Sequence, residues 1–91
     1  MTDEQLAAIR AMCAAATPEP WIIGHVLIHP DMHRSVHDAD GLMLANCDLR
    51  NRPAADTEAN VAFIAGSRAA VPALLAEVER LRGLLSSGAA A

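Results

Sequence analysis

Pro18 and Pro20 flank Glu19, and the chain's only tryptophan comes next, at position 21. Proline has no N–H to donate, and its ring clashes with the preceding helical turn. It also pushes the residues before it, Thr17 and Glu19, towards extended backbone. A helix that reaches this junction must end, and the next element must start afresh, with Trp21 at the mouth of a strand. Residues 2–16 supply the helix. Thr2-Asp3-Glu4-Gln5 matches a capping box, with Thr2 as N-cap and Gln5 reaching back. Leu6, Ile9, Met12, Cys13 and Ala16 then form an apolar stripe at helical spacing.

Beyond the junction, residues 21–29 are rich in β-branched and aromatic side chains and read as a strand. Pro30-Asp31 starts a turn. A short strand comes next over residues 34–37, then a turn at Asp38-Ala39-Asp40-Gly41, with Gly41 suited to positive φ. Residues 42–47 form a third strand, which completes a meander over 21–47. Residues 48–53 are a polar loop. Asp56 or Thr57 caps a helix over 57–66 that Gly66 ends. Ser67 caps a last helix, with Pro72 near its first turn. That helix reaches about Leu85, within a helical C-terminal part spanning 57–85, and the tail 86–91 frays. The expected fold class is α+β in a single domain: an N-terminal helix, a three-stranded antiparallel meander and two C-terminal helices.

A chain of 91 residues buries little of its surface. Its hydrophobic fraction is 53%, but 20 residues are alanine, which brings helix propensity and little burial. Trp21 and Phe63 are the only aromatics. So thin a core favours a homo-oligomer. The last helix offers a contact, because Val71, Leu74, Val78, Leu81 and Leu85 are spaced 3, 4, 3, 4 as in a heptad seam. The bland alternative packs the same stripe on the chain's own sheet. Cys13 and Cys47 form no CxxC motif and read as reduced core thiols.

All seven basic residues are arginine, and the net charge is −4. Binding to DNA or RNA, which needs a clustered positive surface, is not expected. No run approaches the ~18 apolar residues of a membrane span. With no signal peptide read at the start, a cytoplasmic protein without membrane contact is expected.

The four histidines recur every four residues, at His25, His29, His33 and His37. On one helix they would make a metal-binding face, but Pro30 breaks it. On a strand, His25 and His29 lie about 13 Å apart, too far for one ion. Histidine-based metal binding therefore stays an alternative, with exposed histidines the bland reading and no metal assigned. Arg34, Arg50 and Arg52 have forked donors suited to phosphate or carboxylate. With Trp21, His25 and His29 they could line a site for a small anionic ligand of nucleotide type. The bland reading pairs these arginines with Asp31, Asp38, Asp40 and Asp48. Ser35 lies near His33 and Asp38, but three residues in one hairpin do not make a catalytic triad. Glycine-rich phosphate loops and HExxH are absent, so no enzymatic activity and no cofactor are expected.

Three segments carry a resemblance. Ala15-Ala16-Thr17-Pro18-Glu19-Pro20-Trp21, Glu58-Ala59-Asn60-Val61-Ala62-Phe63-Ile64-Ala65 and Val71-Pro72-Ala73-Leu74-Leu75-Ala76-Glu77-Val78-Glu79-Arg80-Leu81-Arg82 together resemble the Ead-like accessory proteins of lambdoid and actinobacterial phages. They cover about a third of the chain. The resemblance implies strands followed by helices and a phage or prophage accessory role in the cytoplasm of a bacterial host. It carries over no catalytic residue. The histidine-rich segment from His25 to His37 departs from the family. The function expected is non-enzymatic: interference with a host process by protein–protein contact, or, as a counter-defence alternative, sequestration of a nucleotide-type immune signal.

Overall fold

The computed structural model describes residues 1–48 and 53–90. They fall into two compact units, Thr17–Ala69 and the pair of segments Met1–Ala16 with Ala70–Ala91.

The Thr17–Ala69 unit holds a three-stranded antiparallel sheet in the order β1-β2-β3. Its strands are β1 (Ile22–Ile23), β2 (Ser35–His37) and β3 (Met43–Asn46). Ile22 and Ile23 pair with His37 and Val36, and Ser35, Val36 and His37 pair with Asn46, Ala45 and Met43. The central strand is buried throughout, with Val36 fully inaccessible. Across the turn to β3, Asp38 Oδ1 accepts from the backbone N–H groups of Asp40 (2.9 Å) and Leu42 (3.0 Å). Gly41 takes the positive φ, 86°, that such a turn requires.

The meander is as expected, but its first strand is much shorter. The chain leaves β1 at Gly24 and makes one helical turn, α2 (Gly24–Leu27), closed by Ile28 N–H donating to Gly24 O at 2.8 Å. The cause lies in tertiary packing. A Cβ on Gly24 would fall 2.6 Å from Ser35 Oγ and 2.9 Å from Met32, so only glycine lets the backbone press onto β2 here. In this register β2 offers a longer first strand only Ser35, opposite Gly24 itself.

Helix α3 (Ala54–Ala90) replaces the two expected C-terminal helices. Gly66 ends a helix only if it adopts a left-handed conformation, and Gly41 is the only residue with positive φ among those described. Ser67 is no cap: its hydroxyl donates back to Ile64 O at 2.8 Å. Nor is Thr57, which is buried inside the helix with its Oγ1 donating to Pro53 O at 3.4 Å. Pro72 sits within the helix, and helix continues through the stretch expected to fray. By length and composition α3 is also apolar enough to cross a membrane, with mean hydropathy 1.5 over its best 18-residue window. The expectation that no run approaches a membrane span thus does not hold for this helix, whose scattered polar residues an 18-residue mean tolerates.

In the other unit, α1 (Asp3–Ala15) begins with the expected capping box between Thr2 and Gln5. It meets the later part of α3 through ion pairs between Asp3 and Arg82 (2.7 Å) and between Arg10 and Glu79. Arg10 is two turns along α1 from Asp3, while Glu79 precedes Arg82, so the two segments run antiparallel. The buried apolar core is small: among the described residues it consists of Leu6 in this unit and Val36 and Val61 in the other. Cys13 and Cys47 are not joined in a disulfide, and both are half-buried rather than in the core.

Candidate functional site

Two surfaces stand out, one in each unit. The first is a cleft of about 350 Å³ beside β2, lined by residues that include Asp31, His33, Arg34, Ser35, Asp48 and Glu58. Arg34 reaches Asp48 Oδ1 at 3.0 Å, with both side chains about half exposed. Among the described residues, the cleft sets the carboxylates of Asp31, Asp48 and Glu58 beside the guanidinium of Arg34.

Of the residues expected to hold an anionic ligand, Arg34 alone lines this cleft among those described; Arg50 and Arg52 lie outside the described residues. Trp21 is half-buried, and its Nε1–H donates to Thr17 O at 2.9 Å. Arg68 Nε–H donates to the same carbonyl at 2.8 Å. His25 lies on α2, with its ring 5.0 Å from that of His33. His29 is exposed, and its Nδ1 accepts from Asp31 N–H at 3.1 Å. The one-face strand arrangement expected for His25 and His29 is therefore replaced by a helical turn and its exit. Among the described residues no group of three or more His, Cys, Asp or Glu is placed to hold a metal ion.

His37 is the exception to the expectation of exposed histidines. It is 3% exposed, and Ser35, two residues away on the same strand face, is 5% exposed. The His37 Nδ1 lies 3.2 Å from Gly41 O, and Nε2 lies 2.8 Å from Ser35 Oγ. A carbonyl only accepts, so Nδ1 carries the proton and Nε2 accepts from the serine hydroxyl. Hydroxyl-to-imidazole bonding of this kind activates nucleophiles elsewhere. Here the backbone at Gly24 occupies the space over Ser35 Oγ, and the pair locks the hairpin shut. The period-two spacing of a strand pairs Ser35 with His37, a signal present in the sequence but set aside there for the grouping of Ser35 with His33 and Asp38.

The second surface is apolar. Leu6 and Ile9 of α1 and Val71, Leu74, Leu75 and Val78 of α3, with Met1, line a groove of about 190 Å³. The expected heptad seam divides here. Val78 is half-buried, whereas Leu74, Leu81 and Leu85 are 65%, 46% and 74% exposed. Leu84, which the seam left out, is 57% exposed beside them. On the same part of the helix Glu77 and Arg80 form an i,i+3 pair. The guanidinium of Arg80 holds the Glu77 carboxyl below its usual range, and the carboxylate raises Arg80 in turn. Compared with protein-family models, curated proteins and solved structures, the chain finds no match.

Proposed function

We propose that this chain is a non-enzymatic binding protein that self-associates and works through protein–protein contact. The observation that carries the proposal is the row of exposed leucines, Leu74, Leu81, Leu84 and Leu85, on a helix whose own unit buries only Leu6 among its described apolar residues. Contiguous apolar surface of this kind marks an interaction site on a small protein. Bilayer insertion of α3 is the less favourable use, because Arg68 sits in the middle of its least charged stretch and already donates to Thr17. The segments resembling Ead-like phage accessory proteins support a phage-derived role in the cytoplasm of a bacterial host, directed at a host process.

Sedimentation velocity at micromolar concentration tests the proposal. Wild-type protein should sediment as more than one subunit, and Leu74→Glu/Leu81→Glu should shift it to a smaller species, because glutamate in an apolar contact is strongly unfavourable. A wild-type protein that sediments as one subunit refutes self-association. Flotation of the wild type with anionic phospholipid vesicles, abolished in the double variant, would assign the leucines to a bilayer instead.

A further inference from the structure

We propose that His25 and His33 form a two-histidine site for a divalent transition-metal ion of the zinc type, which clasps the turn α2 to the segment leading into β2. The site lies wholly within the Thr17–Ala69 unit and is independent of the self-association proposed above.

The backbone builds the pair. The N–H groups of Ile28 and His29 both donate to Gly24 O, at 2.8 and 3.1 Å, and Met32 N–H donates to His29 O at 3.0 Å. The chain from Gly24 to Met32 thus turns back on itself, and its two ends touch. A Cβ on Gly24 would fall 2.9 Å from both the Cβ and the carbonyl oxygen of Met32. The next residue on each side of this contact is a histidine. The two rings stand 5.0 Å apart between centres, tilted by 36°. Both residues are exposed, and among the described residues each ring has only the other as its side-chain partner. The remaining histidines are engaged elsewhere. His29 Nδ1 accepts from Asp31 N–H, and His37 is buried with both ring nitrogens bonded.

The separation suits one shared ion. An ion about 2.1 Å from a ring nitrogen lies about 3.2 Å from the ring centre, so two ligating rings stand about 5.2 Å apart at a tetrahedral angle and about 4.5 Å at a right angle. The observed 5.0 Å falls between these limits. Neither ring is held by a hydrogen bond among the described residues, so turning one nitrogen of each towards a common point breaks none. Imidazole suits zinc, copper and nickel, whereas magnesium and calcium prefer oxygen ligands. Among the described residues no third histidine, cysteine or carboxylate completes the set, so water fills the open positions. The ion would act as a staple, a device small domains use where the core is thin. Here the described apolar core of the unit is only Val36 and Val61.

Titration of the full-length protein with Zn2+ tests the site, read by calorimetry and by the histidine ring signals in NMR, in a buffer free of added thiols and chelators. The ring signals of His25 and His33 should shift together and saturate at one equivalent, while those of His29 and His37 stay in place. His25→Ala and His33→Ala should each weaken binding at least about tenfold, the lower end of what losing even a supporting partner of a ligand costs. His29→Ala should leave it unchanged, and Mg2+ should give no shift. The NMR reading on the unsubstituted chain needs no variant to fold. Absence of heat and of ring shifts at millimolar Zn2+ overturns the proposal. Binding that survives in both His25→Ala and His33→Ala overturns it in favour of the Cys13 or Cys47 thiols, and equal loss in His29→Ala overturns the pair as the site.

Discussion

Gly24→Ala places a methyl group where the chain has no room for one. The new Cβ would sit 2.6 Å from Ser35 Oγ and 2.9 Å from both Met32 Cβ and Met32 O. One of those contacts is backbone, and the hydroxyl is held at 2.8 Å from His37 Nε2, so neither moves without loss. Overpacking of this kind destabilises by about 1–3 kcal/mol. Displacing Ser35 leaves the buried His37 ring nitrogen without its donor, at about 1–3 kcal/mol more. Reduced freedom of the unfolded chain returns about 0.4–1 kcal/mol. The net expectation is a loss of about 2–4 kcal/mol, or a melting point lower by roughly 10–30 °C. Urea and thermal unfolding followed by Trp21 fluorescence would measure it, since Trp21 belongs to the same unit. Two companions sharpen the result. In a Ser35→Ala background the added methyl should do less damage, because its closest neighbour is gone. Gly66→Ala meets nothing within 4 Å and lies in α3, so it should stabilise by about 0.5–1 kcal/mol. If Gly24→Ala melts at or above wild type, the close packing of this turn on β2 is wrong, and with it the reason given for the short first strand.

Three further outcomes rest on the same geometry. Asp38→Ala removes the acceptor of two backbone N–H groups at a nearly buried site and should destabilise the Thr17–Ala69 unit by about 2–4 kcal/mol; a change under about 0.5 kcal/mol in urea unfolding would contradict the turn as described. Trp21→Ala should cost about 2 kcal/mol, below the range for a fully buried ring, because the indole is only half-buried; a loss above about 4 kcal/mol would mean the ring is core. In an NMR titration of side-chain carboxyls Glu77 should titrate below an ordinary glutamate, and Arg80→Ala should bring it back up. Because the folded-state value is depressed, the contribution of that pair is present above the ordinary glutamate range and is lost as pH falls through the lowered value; identical titration in both proteins would remove the pair.

Local signals survived the passage to structure, and those that depended on distant partners did not. The capping box at Thr2 and Gln5 needs only four residues, and it appears as read. The Pro18–Pro20 junction ends α1 by removing a donor, and the three-stranded antiparallel order arises from short runs separated by turns. The run from Trp21 to His29 is a strand only at Ile22 and Ile23, because its later fate is set by Gly24 against Ser35 and Met32, contacts that no local pattern encodes. Gly66 and Ser67 were misread because each has two uses, and the sequence does not say which backbone conformation is chosen. The leucine seam was legible as a spacing, but its division between a face against α1 and an exposed face required the position of α1. His37 illustrates the same limit: its spacing from Ser35 is local, whereas its burial comes from strands on both sides of β2.

The carbonyl of Thr17 accepts from two side chains, Trp21 and Arg68, one four residues away and the other 51. A carbonyl oxygen has two acceptor positions, so either donor alone keeps it bonded. The two are thus redundant for that oxygen. Loss of one leaves a reserve, and loss of both strands a part-buried acceptor beside a proline junction that has few backbone donors of its own. Substitutions at Trp21 and Arg68 should therefore harm the fold more in combination than the sum of their separate effects, and a survey of single substitutions would underrate how strongly this junction depends on them.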